Sequence, residues 1–514
     1  MPIQQIKDLG TAGVIKDMPP VSLAPNVFTD VNNVRFDNSA IQTITGEILY
    51  SPSISIAPDF GIHWRRPDQG YNIFAKNGNI VRVDAAGNSS AMLTSTATKY
   101  NNSKWDACTF NGGYAVIMNN GKSTPLFCLY GDNTAGSAFV ELPGWNYAAG
   151  LTVNAKIVRQ LGYALVACNL TITDNGVVTN APNTIRISVQ AAPGNIPAVW
   201  QPGTTTDTAD EFELSTTSPI LEAGELRGNL YVYSSDAINV VTIGQSITRV
   251  QPYAKGYGIL NTRCLAEFDG QHFVVDRNDI YIHAGSGGIK SIANFKVRDF
   301  FFNNVNQAAI DKVYVQRNSR NDEIWIHYPS GSSTVCNKVM IYQYRLDNWT
   351  FRDAPGTTSS FEGPSPESNS FFYGKETIYS TTGTTRVFLM DRGYQMWNGT
   401  ALASYVSYVE RTKYVAGDLG TSTIINSLYP VFDTVPSNST INIAITGQNN
   451  YIEPADFSNA DGRDIFVFEP NNERAQGYKV DPRATGRLLN YKIYSSGYWR
   501  LALLGVDAGP IDRR

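Results

Sequence analysis

An all-β fold, a β-propeller with loop insertions and a C-terminal β module, is predicted by three features of this 514-residue sequence. Short apolar strands alternate with glycine turns along most of the chain. The strand–turn unit recurs at roughly 40–50 residues, the span of a four-stranded blade. Charged residues are only 17% and Thr, Ser, Asn and Gly crowd the turns, the balance of a large β protein with many loops. A propeller suits this pattern because each small sheet covers its neighbour and leaves short edges. A large β-sandwich is the alternative arrangement of the same strands.

Residues 1–60 read as an N-terminal arm with a first hairpin. Residues 61–423 carry the degenerate propeller, and 424–514 the C-terminal β module. Within the propeller, "YNIFAKNGNIVRVDAAGN" folds back at Asn77-Gly78 and again at Ala86-Gly87. The same turn chemistry recurs at Asn111-Gly112, Asn120-Gly121, Leu161-Gly162, Arg227-Gly228 and Asp269-Gly270. Two stretches break the rhythm, at 186–220 and 353–374, both rich in Thr, Ser, Pro or Gly. They read as exposed loops on a rigid scaffold, where binding tends to sit. The 353–374 segment is expected to project and contact another component. Helical periodicity is scarce, and "NQAAIDKVY" (Asn306 to Tyr314) is the best short segment. "RDFFFNN" (Arg298–Asn304) reads as an aromatic-rich strand that supplies subunit contacts or alternates between core and loop.

The composition excludes several classes. A net charge of −4 gives no overall basic footprint for tight nucleic-acid binding. Cys108, Cys128, Cys168, Cys264 and Cys336 are scattered and never in C-x-x-C spacing, so they read as buried free thiols of a chain folded in a reducing cytosol. The N-terminus lacks the continuous apolar core of a secretory signal, and no apolar run reaches the ~20 residues of a membrane helix.

One stretch imitates a phosphate loop. "AGSGGIKS" places three glycines before a lysine and a serine. Ile289 separates Gly288 from Lys290, which breaks the P-loop spacing. Gly285 and Gly287 match a dinucleotide fingerprint, but Lys290 stands where its third glycine belongs. Flanking "HFVVD" and "DIYIHA" are strand-like, so Gly285–Ser291 reads as a hairpin turn. His63, His272, His283 and His327 have no metal-ligand spacing and read as packing residues. Trp349 in "RLDNWTF" reads as packing between blades. The clusters "HWRR" (His63–Arg66) and the terminal "DRR" read as solvated charge. No nucleophile elbow is present. The expectation is therefore no catalytic residue, no metal site, no cofactor and no enzymatic activity.

A composite pattern is more specific than any one motif. "NTIRISVQAAPGNIPAVWQPG" is followed by "EFELSTTSPILEAGELRGNLYVYSSDAINVVTI" and "YGILNTRCLAEFDGQHFVVDRNDIYIHAGSGGIKSI". Before them stands "PPVSLAPNVFTDVNNVRFDNSAIQTITG", and the chain closes on "YWRLALLGVDAGPIDRR". In this order the segments resemble the tail nozzle proteins of short-tailed bacteriophages, also called tail tubular or DNA-stabilisation proteins. The sequence departs from many relatives in lacking an aspartate before Pro193-Gly194. The resemblance implies a structural virion protein, assembled in the host cytoplasm into a tail ring, with six copies expected. It implies contacts with a head-to-tail adaptor and with fibre or spike proteins. It also implies transient, non-specific passage of duplex DNA, retained and then released on ejection. A slightly acidic or neutral wall suits such a conduit, because dense cations would hold phosphates. The alternative is a carbohydrate-binding or carbohydrate-cleaving propeller, such as a receptor-reading tail component, with acidic and aromatic residues converging in its central mouth.

Overall fold

Local turn chemistry sets the repeat. Asn111-Gly112, Leu161-Gly162, Arg227-Gly228 and Asp269-Gly270 each connect the first strand of a blade to its second. Asn111, Arg227 and Asp269 hold positive φ there, as tight hairpins require. The structure is a computed structural model. It describes residues 3–511 apart from 51–52, 66–69, 101–103, 133, 204–208, 245–247, 365–375, 417–419, 436–439, 458–464 and 469–478.

Four-stranded antiparallel sheets form blades 1 to 5, at 60–94, 105–141, 151–213, 220–255 and 265–291. Blades 6 and 7 share one continuous sheet. The 16-residue strand Asn348–Gly363 joins them. Its first half pairs with Cys336–Gln343 as the outer strand of blade 6. Its second half pairs with Glu376–Thr381 and packs on Phe60–Arg65 of blade 1, as the inner strand of blade 7. The outer strand of blade 7 is Glu47–Leu49, which pairs with Val387–Met390. The chain segment that leads into blade 1 thus completes blade 7 and closes the ring.

Apart from a two-stranded pair, Met396–Trp397 with Leu402–Ala403, the remaining strands form two sheets. One contains Val34–Asp37, Ala40–Thr43, Thr423–Thr434 and Arg500–Pro510, with Gln4–Ile6 and Ala484–Gly486 beside them. The other contains Asp30–Asn32, Ser407–Tyr414, Leu488–Ser495, Ile441–Gln448 and Ile465–Phe468. Ile425, Leu428, Ile445, Leu489 and Trp499 are fully buried between them, in a core continuous with blades 5 and 6. The sheets divide the chain differently from the sequence divisions at 60/61 and 423/424. Residues 3–43 belong with the C-terminal strands, 47–49 with the propeller, and 407–414 with the sandwich. Long-range pairing, which no local pattern encodes, draws these lines.

Two segments depart from their sequence reading. Arg298–Asn304 is an α-helix, not a strand. Its local sequence supplies no cap. Instead the carboxylate of Asp17 accepts the N–H groups of Asp299 and Phe300, each at 2.9 Å. Phe301 is buried and stacks edge-on to Tyr328, so it packs inside the chain. The second departure is 353–374. Asp353–Gly363 is strand, not projecting loop, and 365–374 lies outside the described residues. Pro355 sits where the pairing with blade 6 slips, a position a sheet tolerates. Ser359 and Thr358 bond the Ser380 hydroxyl at 2.9 Å, so the small polar residues face a partner strand. The 186–220 connection includes the outer strand of blade 3, Asp210–Glu213. It is anchored by Trp200, fully buried with its ring 4.6 Å from Trp145.

Candidate functional site

The inner strands of the seven blades surround an axial channel. At the end where those strands begin, it widens into a mouth of about 600 Å³. Below the mouth lies a cavity of about 310 Å³. The mouth is rimmed by the segments just before inner strands and by turns between second and third strands. Lys104, Arg263 and Lys312 stand one or two residues before the inner strands of blades 2, 5 and 6. Lys122 follows the Asn120-Gly121 turn, and Lys156 lies on the inner strand of blade 3. Thr357, Thr358, Thr382 and Asn261 add hydroxyl and amide groups, and Trp105 forms an apolar wall.

The charges at this mouth are unequally matched. Its three carboxylates are engaged: Asp59 with Lys76 at 3.1 Å, Asp106 with Arg159 at 2.6 Å, Asp311 with Lys104 at 3.4 Å. Lys312 donates to the Thr334 carbonyl at 2.5 Å. Among the described residues Lys122, Lys156 and Arg263 have no carboxylate partner. The Arg263 guanidinium lies 5.2 Å from the centre of the Tyr314 ring. Burial, and then the Lys156 charge, lowers the pKa of Lys122. Burial does the same for Lys156, against the opposing pull of Glu222 and Asp106 and with Lys104 adding to it. Lys122 thus lies in the field of Lys156 in a partly desolvated space, while Glu222 and Asp106 offset part of the Lys156 charge.

Beneath them Arg159 ties four blades together. Its guanidinium donates to Asp106 of blade 2 at 2.6 Å and to Glu222 of blade 4 at 2.5 Å. Glu222 in turn accepts the Arg263 backbone N–H at 2.8 Å, at the entry to blade 5. Burial opposes the Arg159 charge, yet the two carboxylates hold its pKa well above the ordinary value. Glu225 and Glu267 line the lower cavity, and burial followed by the Glu267 charge raises the Glu225 pKa. The mouth therefore carries a cationic excess, whereas the lower cavity sets Glu222, Glu225 and Glu267 against Arg159 and Arg263.

Apart from His272, which lines the lower cavity, the histidines and motifs singled out in the sequence lie elsewhere. Gly285–Ser291 is a turn with its following strand: Ile280–His283 pairs antiparallel with Ile289–Ser291, and Gly285, Gly287 and Gly288 hold positive φ. Trp349 is fully buried in blade 6 and donates to the Ile292 carbonyl beside blade 5, at 3.3 Å. His272 and His283 meet at the interface of blades 4 and 5, joined through Tyr233. The bonding chain fixes their tautomers. The Gly285 N–H donates to His283 Nδ1, so His283 Nε2–H donates to the Tyr233 oxygen at 2.7 Å. The Tyr233 hydroxyl donates to His272 Nδ1 at 2.6 Å, and His272 Nε2–H donates to the Glu225 carbonyl at 3.0 Å. Every position is filled by neutral rings, and burial lowers both histidine pKa values to about 4. His63 bonds Asn72 and His327 bonds Thr357, each at 2.9 Å. The five cysteines are free, and burial pushes four of them up to about 12, which leaves them unreactive thiols. Arg66 and the terminal 512–514 lie outside the described residues.

Among the described residues no group of His, Cys, Asp and Glu is arranged to hold a metal ion, and no helix is long and apolar enough to cross a membrane. The basic mouth escaped sequence reading because blades 2, 3, 5 and 6 each contribute one or two cations, tens of residues apart. Aligning the blades would have revealed it, since Lys104, Arg263 and Lys312 occupy nearly the same position relative to their inner strands.

No protein-family model and no curated protein matches the chain. Among solved structures it is similar to virginiamycin B lyase from Staphylococcus aureus, at 11% identity and TM-score 0.39, over 67% of this chain and 97% of that one. It is also similar to the Cps50 (Swd1) β-propeller domain of Myceliophteria thermophila, at 8% identity and TM-score 0.40, over 67% and 99%. YCF48, solved bound to a D1 peptide, is similar at 12% identity and TM-score 0.36, over 72% and 99%. Likenesses this low carry no inference about substrate or partner.

Proposed function

We propose that this chain is a structural subunit of a short phage tail, forming a nozzle ring that retains genomic DNA and releases it on ejection. The observation that carries the reading is the ordered series of segments resembling tail nozzle proteins. Its two ends support this as one architecture: the opening hairpin strand Ala40–Thr43 pairs with the closing strand Arg500–Pro510. The middle segments form blades 3 to 5. In this reading DNA passes between copies, because a mouth of about 600 Å³ is the size of a small-ligand pocket, not of a duplex.

Exposed apolar surface offers contacts for a ring. Strands Ala164–Asp174 and Val177–Ile187 extend blade 3 on the mouth side, and their tip exposes Val177 and Val178. Ile452 is 88% exposed and Val467, on the outermost sandwich strand, 60%. Such exposed apolar side chains suit burial against another copy. Cryo-electron microscopy of the virion is expected to place this chain in a ring below the head, with six copies. Filter binding at physiological salt is expected to give weak, sequence-independent retention of duplex DNA. A tight DNA complex, or a chain absent from virions, would sink the proposal. The carbohydrate alternative asks for free carboxylates and clustered aromatics at the mouth. The mouth has three ion-paired aspartates and one tryptophan instead.

A further inference from the structure

We infer that the propeller mouth is a binding site for a phosphate dianion, free or as the phosphomonoester of a small polar molecule. This does not rest on the nozzle reading, since the isolated chain already contains every group involved.

Three observations converge. First, the mouth is a cavity of about 600 Å³, within the range of small-molecule sites. Second, its cations outnumber what its acids neutralise. Asp59, Asp106 and Asp311 are each in an ion pair, while Lys122, Lys156 and Arg263 have no carboxylate partner among the described residues. They come from blades 2 and 3 and from the entry to blade 5, so the fold brings them together around the axis. Third, Lys122 lies partly desolvated in the field of Lys156, an arrangement an anion relieves directly.

The surroundings narrow the ligand. A phosphate dianion takes several charge-assisted hydrogen bonds at once, which suits two ammoniums and a guanidinium. Thr357, Thr358, Thr382 and Asn261 offer further polar contacts for an attached sugar or polyol, and Trp105 offers an apolar wall. The lower cavity sets Glu222, Glu225 and Glu267 against Arg159 and Arg263, so it lacks the cationic excess that favours an anion at the mouth. A nucleic-acid backbone fits less well, because the mouth is a closed-sided pocket framed by blades and not a groove.

Isothermal titration calorimetry of the full chain with inorganic phosphate, ribose 5-phosphate and ribose at matched ionic strength tests the site. Saturable, one-to-one binding of a phosphate-bearing probe and none of ribose is expected. Equal affinity for both phosphates identifies free phosphate as the ligand; tighter ribose 5-phosphate identifies the ester. The double variant K122M/K156M is expected to weaken binding at least tenfold with unchanged folding, because it removes two ammoniums the fold disfavours. Should that variant fail to fold, K104M/K122M on the exposed rim is expected to weaken binding several-fold. Absence of saturable binding below 10 mM, or binding unchanged in the variants, would overturn the assignment. So would lysine-dependent binding of a duplex oligonucleotide in place of the small phosphates.

Discussion

The mouth of the propeller and its junction with the sandwich use charge in opposite ways. At the junction, Arg35 from the N-terminal hairpin reaches into blade 6 and meets Glu323 at 2.5 Å and Asp391 at 3.1 Å. Asn318 and Asn321 donate to the same Asp391 carboxylate at 2.8 Å, and the Trp325 indole donates to Glu323 at 2.9 Å. Nearby, Arg352 and Glu47 form an ion pair with no exposed surface, and Glu47 also accepts the Trp397 N–H at 2.9 Å. Here each buried carboxylate has a cation and further donors. At the mouth, Lys122, Lys156 and Arg263 lie in a half-open space with no direct carboxylate partner among the described residues. Through Arg35, paired charge fixes one module against another; at the mouth, charge without a direct partner is available to a ligand.

Breaking the junction gives the largest effect. Arg35→Met leaves Glu323 and Asp391 buried beside each other without a cation. A loss of about 3–5 kcal/mol is expected, as for other broken buried pairs. Denaturant unfolding followed by tryptophan fluorescence measures it. An earlier separate transition for the sandwich is also expected, because Arg35 sits on a sandwich strand and both acids on the propeller side. A single transition at the wild-type midpoint would show that the clamp carries no coupling.

That junction also shows what the sequence could convey. Hairpins at Asn111-Gly112 or Asp269-Gly270 were legible because two adjacent residues specify them. The blade rhythm followed from those turns. The Arg298–Asn304 helix was not legible, because its cap comes from Asp17, far away in sequence. Asp353–Gly363 was not legible either: Ser, Thr, Gly and Pro read as loop, yet an inner strand facing a channel needs no apolar alternation. Glu47–Leu49 completing blade 7 depends on ring closure, a property of the whole chain. The lysines of the mouth depend on it too, so the fold was more legible than the candidate site.

Acid provides the second test, at a region charged in neither sense. The His272–Tyr233–His283 chain needs both rings neutral. Their folded pKa values, about 4, lie below the ordinary 6.5 of an unfolded chain. Between those values the unfolded state binds more protons. The stabilisation is thus complete above pH 6.5 and is lost as pH falls toward 4. Each histidine taken alone contributes about 3 kcal/mol across that window. Thermal melts at intervals from pH 7.5 to 4 are expected to fall steeply below pH 6, and the His272→Gln variant to show a shallower slope. A wild-type melting temperature flat from pH 7 to 4.5 would contradict the wiring.

The smallest effect is opposite in sign and sharpens the contrast most. Arg35 supports the fold, whereas the Lys156 charge works against it: burial lowers its pKa, Glu222 and Asp106 offset only part of that, and Lys104 adds to it. An unfolded lysine titrates near 10.4, so between the folded value and 10.4 the unfolded state holds the extra proton. Stability therefore rises with pH through that window, and at pH 7 the ammonium is a cost. Lys156→Met keeps the aliphatic stem and removes the charge, so a gain of about 0.5–1 kcal/mol at pH 7 is expected. The gain should shrink as the wild type approaches pH 10, which ties it to the proton and not to packing. Saturating phosphate should narrow the difference as well, since the ligand supplies the missing counter-charge in the wild type alone. Denaturant midpoints of both proteins at pH 7 and 9.5, with and without phosphate, measure this directly. A destabilised Lys156→Met at every pH would mean that the lysine is already satisfied at the mouth, and the contrast with the junction would fail.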